Sequence, residues 1–267
     1  MKNEKGNSLP LVSIIIPTYN RQGPVLRAID SVLRQSFKAF ELIVVDDGST
    51  DNTATWVSLI NDPRLVYKKT ANKGVSAARN AGAALASSDW LCFLDSDDLW
   101  KKNKLSEQVT FHRERPSCLI SQTDETWIKN SKRINKMTKH KTKEGNIFRE
   151  SLRLCLISPS AVMIKKSLFV NCGCFDESLP VCEDYALWLN VLATNMAGLI
   201  NKELVTKFGG HKDQLSKKLP IMDAYRIQAL EKLLLSDFLS EEQQKWTEQE
   251  LLYKKHIVEQ GKKKRRS

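Results

Sequence analysis

Strands and helices alternate through the first hundred residues, and this alternation limits the fold more than any other feature of the sequence. Val12–Ile16 is a β-branched run that ends at Pro17, and Leu42–Val45 is a second apolar run that ends in an acidic turn. Apolar residues at helical spacing follow the first run, and a helix-capping segment follows the second. Alternating segments of this kind predict a mostly parallel α/β sheet.

The rest of the sequence predicts further strands and helices, and near the C-terminus it predicts helices alone. Strands are predicted at Leu65–Tyr67, Trp90–Leu94, Ala161–Ile164 and Leu199–Phe208, and helices at Ser76–Leu85, Glu183–Leu192, Ile221–Leu235 and Glu241–Val258. We therefore expect a disordered N-terminus over residues 1–10 and an α/β domain over residues 11–215. A helical extension over residues 216–260 and a basic disordered tail over residues 261–267 follow.

The chain carries a formal net charge of +11, and two segments concentrate it. One segment covers residues 129–143, and the other is the run Lys262–Arg266. A basic surplus is found on proteins that bind nucleic acid, anionic membranes or phosphorylated substrates, and solvated loops and tails carry it as well. The sequence lacks a run of about 18 apolar residues, which predicts a cytoplasmic protein.

Asp95-Ser96-Asp97-Asp98 is the strongest local feature, because three carboxylates follow an apolar strand within four residues. Such carboxylates repel one another unless a cation offsets their charge. Hard oxygen ligands suit Mg²⁺ or Mn²⁺, which also bind diphosphates. An acidic turn that caps the next helix is the alternative interpretation of this segment.

Two other acidic positions carry potential chemistry. Asp46 and Asp47 follow the second buried strand, where a carboxylate can accept hydrogen bonds from a nucleotide base or ribose, or form a simple turn. Glu183 and Asp184 open a predicted helix, whose first turn stabilises negative charge. An ionised Asp184 could act as a general base, or it could only complement the helix terminus.

Five motifs occur in a fixed order, and together they are far more specific than any one alone. They are Pro17-Thr18-Tyr19-Asn20, Val45-Asp46-Asp47-Gly48-Ser49-Thr50-Asp51, Asn72-Lys73-Gly74-Val75-Ser76-Ala77-Ala78-Arg79-Asn80, Phe93-Leu94-Asp95-Ser96-Asp97-Asp98 and Glu183-Asp184-Tyr185-Ala186-Leu187-Trp188. The series closely resembles the family-2 inverting glycosyltransferases of the GT-A fold over about residues 10–210. Cys174 stands where this family often has glycine.

The resemblance implies a binding site for a nucleotide-sugar donor. Thr18, Tyr19 and Asp47 would hold the nucleotide base, Arg79 would lie near the nucleotide, and Asp95 would contact the ribose or the donor sugar. The residues assigned to this donor site are Pro17, Thr18, Tyr19, Asp47, Arg79, Asp95 and Ser96.

The resemblance also implies a metal ion and a catalytic base. Asp97, together with Asp98, would bind the Mn²⁺ or Mg²⁺ that bridges the diphosphate, and Asp184 would be the base. His211 lies where some GT-A enzymes place a further metal or phosphate contact, although a surface-loop histidine is an equal alternative.

The function that follows is the transfer of a sugar from a nucleotide-diphosphate-sugar, expected to be a UDP-sugar, to an acceptor hydroxyl with inversion. The expected acceptor is a glycan, lipid-linked or lipopolysaccharide molecule of the cell surface, and the basic tail could bind the inner face of an anionic membrane. A metal-dependent nucleotidyltransferase is one alternative, but the first strand ends without a glycine-rich phosphate loop. A nucleic-acid-binding protein is another, but the basic runs have few aromatic neighbours, so no nucleic-acid partner is expected.

Overall fold

A nine-stranded sheet forms the centre of the part of the chain that the structure describes. The structure is a computed structural model that describes residues 11–135, 137–210 and 222–266, and of residues 139 and 262–266 it describes the backbone alone. The strands are β1 (Val12–Thr18), β2 (Phe40–Asp46), β3 (Leu65–Lys69), β4 (Trp90–Phe93), β5 (Leu99–Trp100), β6 (Ile120–Lys129), β7 (Lys132–Ile134), β8 (Val162–Lys165) and β9 (Gly198–Gly209).

The order of strands across the sheet is β3-β2-β1-β4-β8-β6-β9-β5, with β7 paired to β6. Strands β1 to β4 pair with one another in parallel, as their alternation with helices predicts. Beyond β4 the sheet is mixed, because β8 is antiparallel to both β4 and β6, whereas β6 and β9 are parallel. The predicted α/β fold is confirmed, and its parallel part is confined to the first four strands and the β6–β9 pair.

The helices lie at nearly the positions that the sequence predicts, with three additional short or medium helices in the middle of the chain. They are α1 (Gln22–Leu33), α2 (Thr53–Ser58), α3 (Val75–Leu85), α4 (Lys104–Glu114), α5 (Phe148–Arg153), α6 (Lys166–Asn171), α7 (Glu183–Thr194), α8 (Met222–Leu234) and α9 (Glu241–Arg266).

Strand β1 is buried along its whole length and separates two hydrophobic cores. Ile14 and Ile16 pack in one core with Ile29 of α1, whereas Ile15 packs in the other core with Trp188 of α7. Successive side chains of a strand point to opposite faces, so a strand that is covered on both faces needs a continuous apolar run. This requirement explains the β-branched sequence of β1.

Gly82 allows helix α3 to approach the sheet closely. A Cβ atom at this position would lie 2.5 Å from Cγ2 of Ile15 and 3.2 Å from Cγ2 of Val45. Arg79 lies three residues earlier on α3 and therefore on the same side of the helix. The close packing at Gly82 brings Arg79 to the edge of the sheet where β4 ends.

The two C-terminal helices share a core with the sheet rather than forming a separate unit. Leu230 and Leu233 of α8 and Leu251 of α9 belong to the same buried cluster as Trp188 of α7. The predicted boundary between residues 215 and 216 lies outside the described residues. Within the described part of the chain, no helix combines the length and apolar composition needed to cross a membrane.

Helix α9 continues further than the sequence predicts. It ends at Arg266, so residues 261–266, which we expected to be a disordered tail, continue the helix. Lysine and arginine have high helix propensity, and positive charge near a helix C-terminus interacts favourably with the helix dipole. Both effects allow the basic run to remain helical.

Candidate active site

Polar residues collect at one edge of the sheet, where the parallel strands end. Pro17 and Thr18 end β1, Asp46 ends β2 with Asp47 directly after it, and Asp95 follows β4. Strands β6 and β9 run in the same direction as β4, because two antiparallel pairings through β8 restore the direction. Their carboxyl ends therefore lie at this same edge, which is where open α/β sheets bind ligands.

The two aspartates at the end of β2 have different surroundings. Asp46 is fully buried and accepts hydrogen bonds from the Ser49 backbone N–H (2.7 Å) and from the Tyr67 hydroxyl. Burial and the Asp46 carboxylate raise the pKa of the Tyr67 hydroxyl, so Tyr67 remains a hydrogen-bond donor. Asp46 therefore holds the acidic turn in shape.

Asp47 connects the end of β1 to the loop before α3. Its backbone N–H donates to the Thr18 carbonyl (2.9 Å), and its carboxylate accepts the backbone N–H groups of Lys73 and Gly74, each at 2.8 Å. The Thr18 hydroxyl is buried and has no hydrogen-bond partner among the described residues. Tyr19, the next residue, is 47% exposed. The structure thus brings together the three residues that the sequence assigns to the nucleotide base.

Arg79 joins two carboxylates that are far apart in the sequence. Its guanidinium donates to Asp95 (2.7 Å) and to Glu183 (2.6 Å), and it lies 5.0 Å from the centre of the Phe175 ring. Burial opposes ionisation of Asp95, but the charge of Arg79 holds the pKa of this carboxyl below its usual value. Burial raises the pKa of Glu183, against the opposing effect of Arg79. Arg79 therefore holds the turn after β4 against the start of α7.

Asp97 faces a cavity of about 350 Å³ with two arginines on its wall. The Arg21 guanidinium donates to the Asp97 carboxylate at 2.6 Å, and Arg27, Phe208 and Gly210 also line the cavity. The Asp97 side chain is 22% exposed, so it remains accessible from the cavity. A carboxylate beside two arginines creates a place that favours both cations and phosphate groups.

Asp98 is directed into the protein and differs in this respect from Asp97. Its carboxylate accepts hydrogen bonds from the Ser160 hydroxyl (2.7 Å) and from the Phe208 backbone N–H (3.3 Å). Burial raises the pKa of Asp98 to about 8, although the Lys207 ammonium, 3.7 Å away, opposes this rise. The predicted pair of metal ligands is therefore split between an accessible Asp97 and a buried Asp98.

Lys207 of β9 lies among the acidic groups of the site. Its ammonium donates to the Ser158 hydroxyl at 2.8 Å and lies 3.7 Å from Asp98. Burial opposes its charge, but Asp98, Asp95 and Asp184 are among the neighbouring carboxylates that raise the pKa of Lys207. Lys207 thus places a positive charge beside the acidic turn after β4, which Arg79 joins to the start of α7.

The two acidic residues at the start of α7 have separate roles in the geometry. Glu183 is buried and bound by Arg79, whereas Asp184 is half-buried and accepts the Tyr185 backbone N–H at 2.7 Å. The Cys155 thiol also lies beside Asp184, and burial together with this carboxylate raises the pKa of the thiol well above its usual value. Of the two carboxylates, Asp184 is the one that solvent or a substrate can reach.

Ser96 and His211 are the remaining residues that the sequence assigns to the site. Ser96 is buried within the turn that the Asp98 backbone N–H closes on the Asp95 carbonyl at 2.9 Å. His211 lies outside the described residues. Within those residues, no group of three or more histidine, cysteine, aspartate and glutamate side chains could hold a metal ion.

Three residues of the site were missed by sequence reasoning, namely Arg21, Ser160 and Lys207. Ser160 is fully buried and donates to Asp98 while it accepts the Asp95 backbone N–H at 3.1 Å. Lys207 could have been predicted, because it is a charged residue near the carboxyl end of the predicted strand Leu199–Phe208. Nothing local distinguishes Ser160, because its two contacts come from residues more than sixty positions earlier.

Solved structures share this arrangement of strands. The TarS fragment 1–349 of Staphylococcus aureus in complex with UDP-GlcNAc matches with a TM-score of 0.74 at 22% identity, over 90% of this chain and 70% of that chain. The mannosyltransferase PcManGT of Pyrobaculum calidifontis in complex with GDP-Man and Mn²⁺ matches with a TM-score of 0.69 at 16% identity, over 91% and 70%. The fold is that of the GT-A glycosyltransferases.

The sequence profile described as "Glycosyl transferase family 2" matches residues 13–171, and the chain belongs to this family. Enzymes of this family are inverting glycosyltransferases, and GT-A enzymes commonly use a divalent metal ion. The resemblance seen in the sequence is thereby confirmed.

Two curated relatives illustrate the range of similarity within the family. An uncharacterised glycosyltransferase of Rickettsia felis is 37% identical over 194 residues, which are 72% of this chain and 32% of the relative. The Escherichia coli enzyme WfaP, a UDP-Glc:alpha-D-GlcNAc-diphosphoundecaprenol beta-1,3-glucosyltransferase, is 31% identical over 211 residues, 78% of this chain and 80% of the relative. The chain thus spans about a third of the length of the Rickettsia relative.

Proposed function

We propose that this chain transfers a sugar from a UDP-sugar to an acceptor hydroxyl with inversion, in the synthesis of a cell-surface polysaccharide or lipopolysaccharide. The observation that carries this proposal is that the acidic turn after β4 is joined to the acidic start of α7, because Arg79 donates to both Asp95 (2.7 Å) and Glu183 (2.6 Å). Family membership supports sugar transfer over nucleotidyl transfer. The named UDP-Glc donor of WfaP and the UDP-GlcNAc bound to TarS support a uridine nucleotide.

The donor nucleotide is assigned to the ends of β1 and β2. The Thr18 hydroxyl is buried without a hydrogen-bond partner among the described residues, and the Asp47 carboxylate is fixed by two backbone N–H groups and retains acceptor capacity towards a base N–H. Arg79 orients Asp95 from the protein side, so its role is to position this carboxylate towards ribose or sugar. Such pre-positioning lowers the entropic cost of binding the donor.

The donor set at Asp97 fits a divalent metal ion. Mg²⁺ is usually bound by one or two carboxylates together with the phosphates of a substrate, and a cluster of three protein ligands is not required. Asp97 is accessible and already pairs with the cationic group of Arg21, whereas the oxygens of Asp98 are occupied by Ser160 and Phe208. We therefore assign the metal to Asp97 and a positioning role to Asp98. When bound, the ion neutralises charge that develops on the leaving diphosphate.

Asp184 is assigned as the general base. The acceptor oxygen attacks the anomeric carbon as its proton passes to Asp184, and the bond from that carbon to the diphosphate oxygen breaks with the electron pair leaving on the diphosphate. Attack from the face opposite the leaving group inverts the anomeric centre in one displacement. Arg21 and Arg27 line the cavity beside Asp97 and can bind the departing phosphates.

Thermal unfolding with a panel of nucleotide-sugars tests the donor assignment. At a free concentration of about 100 times its Kd, a donor adds about 2.7 kcal/mol of stability, or about 5–10 °C in Tm for a chain of this size. UDP-glucose and UDP-GlcNAc in Mn²⁺ are expected to raise Tm more than ADP- and GDP-sugars do. An unchanged Tm with every nucleotide-sugar, with and without Mn²⁺, would contradict the proposal.

Peripheral binding to an anionic membrane is a second part of the proposal, and α9 supplies the charge. Lys254 and Lys255 do not contribute, because Lys254 is buried against Glu250 (3.2 Å) and Lys255 pairs with Glu231 (2.7 Å). The five basic residues from 262 to 266 remain, at about 1 kcal/mol each near an anionic leaflet. A membrane-bound enzyme would meet a lipid-linked acceptor of the kind that the name of WfaP contains.

Co-sedimentation with vesicles tests the membrane proposal by comparing the full chain with a chain that ends at Gln260. The full chain is expected to bind vesicles with anionic lipid, to bind less at high salt, and not to bind neutral vesicles. The shorter chain is expected to remain in the supernatant. Equal sedimentation of the two chains would show that the basic run does not hold the protein at a membrane.

A further inference from the structure

A second cavity, of about 340 Å³, lies beside strand β6 at the point where this strand changes its partner. Strand β6 pairs with β8 over residues 120–122 and with β7 over residues 127–129, and its register with β9 slips twice around Asp124. Bulges of this kind bend a strand and often lie next to active sites. The cavity opens between these two pairings, with residues from the segment after β7 on its wall.

The walls of this cavity combine one flat aromatic ring with many hydrogen-bonding groups. The ring is that of Trp127, whose Nε1–H donates to Glu125 at 2.9 Å. Glu203 is fixed by Arg133 (2.7 Å) and by the Thr126 hydroxyl (2.9 Å). The other polar lining residues are Asp124, Asn135, Lys141, Thr142 and Asn201.

This chemistry matches a sugar ring better than a lipid or a nucleotide. A pyranose has a C–H face that packs on an aromatic ring and a rim of hydroxyls that need donors and acceptors. A lipid chain would need apolar walls, and this cavity has only Ile134 besides the tryptophan. The volume lies at the small end of the range for ligand pockets. The carboxylates of Asp124, Glu125 and Glu203 outnumber the two cations, so a neutral sugar fits better than an acidic one.

The position of the cavity relates it to the catalytic residues. Trp127 on β6 is the register partner of Lys207 on β9, so the two side chains leave the sheet on the same face. The Lys207 ammonium in turn lies 3.7 Å from Asp98 of the acidic turn after β4. The sheet order places β1 and β2, with the proposed donor residues, on one side of β4, and β6 and β9 on the other side.

We propose that the cavity at Trp127 is the acceptor subsite, and that it holds a neutral pyranose residue of the acceptor with the tryptophan ring stacked on its face. This assignment rests on the proposed sugar transfer. The donor and the acceptor then approach the turn after β4 from opposite sides, and the acceptor hydroxyl must meet Asp184, the proposed base. Arg133 fixes the rim of the subsite through Glu203.

Saturation-transfer NMR with methyl glucoside and methyl N-acetylglucosaminide, in the presence of UDP, tests this subsite without requiring turnover. The parent protein is expected to transfer saturation to sugar ring protons and to UDP. Trp127→Ala should lose the sugar signals and keep those of UDP, and Trp127→Phe, which retains a ring, should keep part of the sugar signal. Trp56→Ala is the matched control, because Trp56 is a 45% exposed tryptophan on α2.

The outcomes separate this inference from the donor assignment. In a transfer assay, the acceptor KM of Trp127→Ala should rise about tenfold or more, with the donor KM unchanged. Sugar signals that persist in Trp127→Ala, sugar and UDP signals that are lost together, or a parent that binds UDP but neither glycoside would each overturn the subsite. A parent that shows no UDP signal would instead refute the proposed donor.

Discussion

Replacing Asp184 by asparagine is expected to lower turnover by about 10²-fold or more while leaving donor affinity nearly unchanged. Asparagine keeps the shape of the side chain and can still accept the Tyr185 N–H, but it cannot take a proton from the acceptor. Initial rates of sugar transfer and the donor Kd from calorimetry measure the two quantities separately. A loss confined to turnover is what the removal of a general base predicts.

The structure sharpens this experiment because it separates the two candidate bases. Glu183 is bound by Arg79 at 2.6 Å, so Glu183→Gln would disturb Asp95 through their shared partner and would change donor binding as well. Asp30→Asn, at an exposed position of α1, is a suitable control for the substitution itself. If Asp184→Asn weakened donor binding as much as turnover, Asp184 would be a donor-site residue and not the base.

Replacing Asp97 by alanine is expected to abolish the divalent-dependent part of nucleoside-diphosphate binding. The parent should bind UDP about tenfold or more tightly in Mn²⁺ than in EDTA, and the variant should show the same Kd in both. The ratio is the informative quantity, because the substitution also releases Arg21 to contact the phosphates directly. Calorimetric titrations with UDP in the two buffers provide it.

The matched control for the metal experiment is Asp89→Ala. Asp89 directly precedes β4, whereas the acidic turn follows β4, so the two lie at opposite ends of this strand. The Asp89 side chain is 84% exposed and pairs with Lys165. This variant should keep the ratio of the parent. A parent whose affinity for UDP does not respond to EDTA, or an Asp97→Ala variant that retains the ratio, would refute the assignment.

The different roles proposed for Asp97 and Asp98 follow from the difference in their burial. A carboxylate can bind a metal and a diphosphate only where the ligand can reach it, and Asp98 is 2% exposed. Its bond to Ser160 connects the turn after β4 to the segment before β8, and its bond to Phe208 connects this turn to the end of β9. Asp98 therefore holds the loop from which Asp97 projects into its cavity.

Most of the secondary structure could be predicted from the sequence, because the signals for it are local. The β-branched run of β1 and the acidic turns at the ends of β2 and β4 indicated an α/β fold and the edge that carries the site. The middle of the chain was predicted less well, because β6 is irregular around Asp124 and draws its stability from three different partner strands.

The sequence by itself determined the family, the elements of the parallel half of the sheet, and the carboxylates from which a site could be built. Only the tertiary structure decided which of these carboxylates is accessible. Arg79 meets Glu183 across 104 positions, Arg21 meets Asp97 across 76, and the Phe208 N–H meets Asp98 across 110. The accessibility and charge of a buried group depend on such partners. Folding brings these partners together from distant positions, so the sequence around each residue does not reveal them.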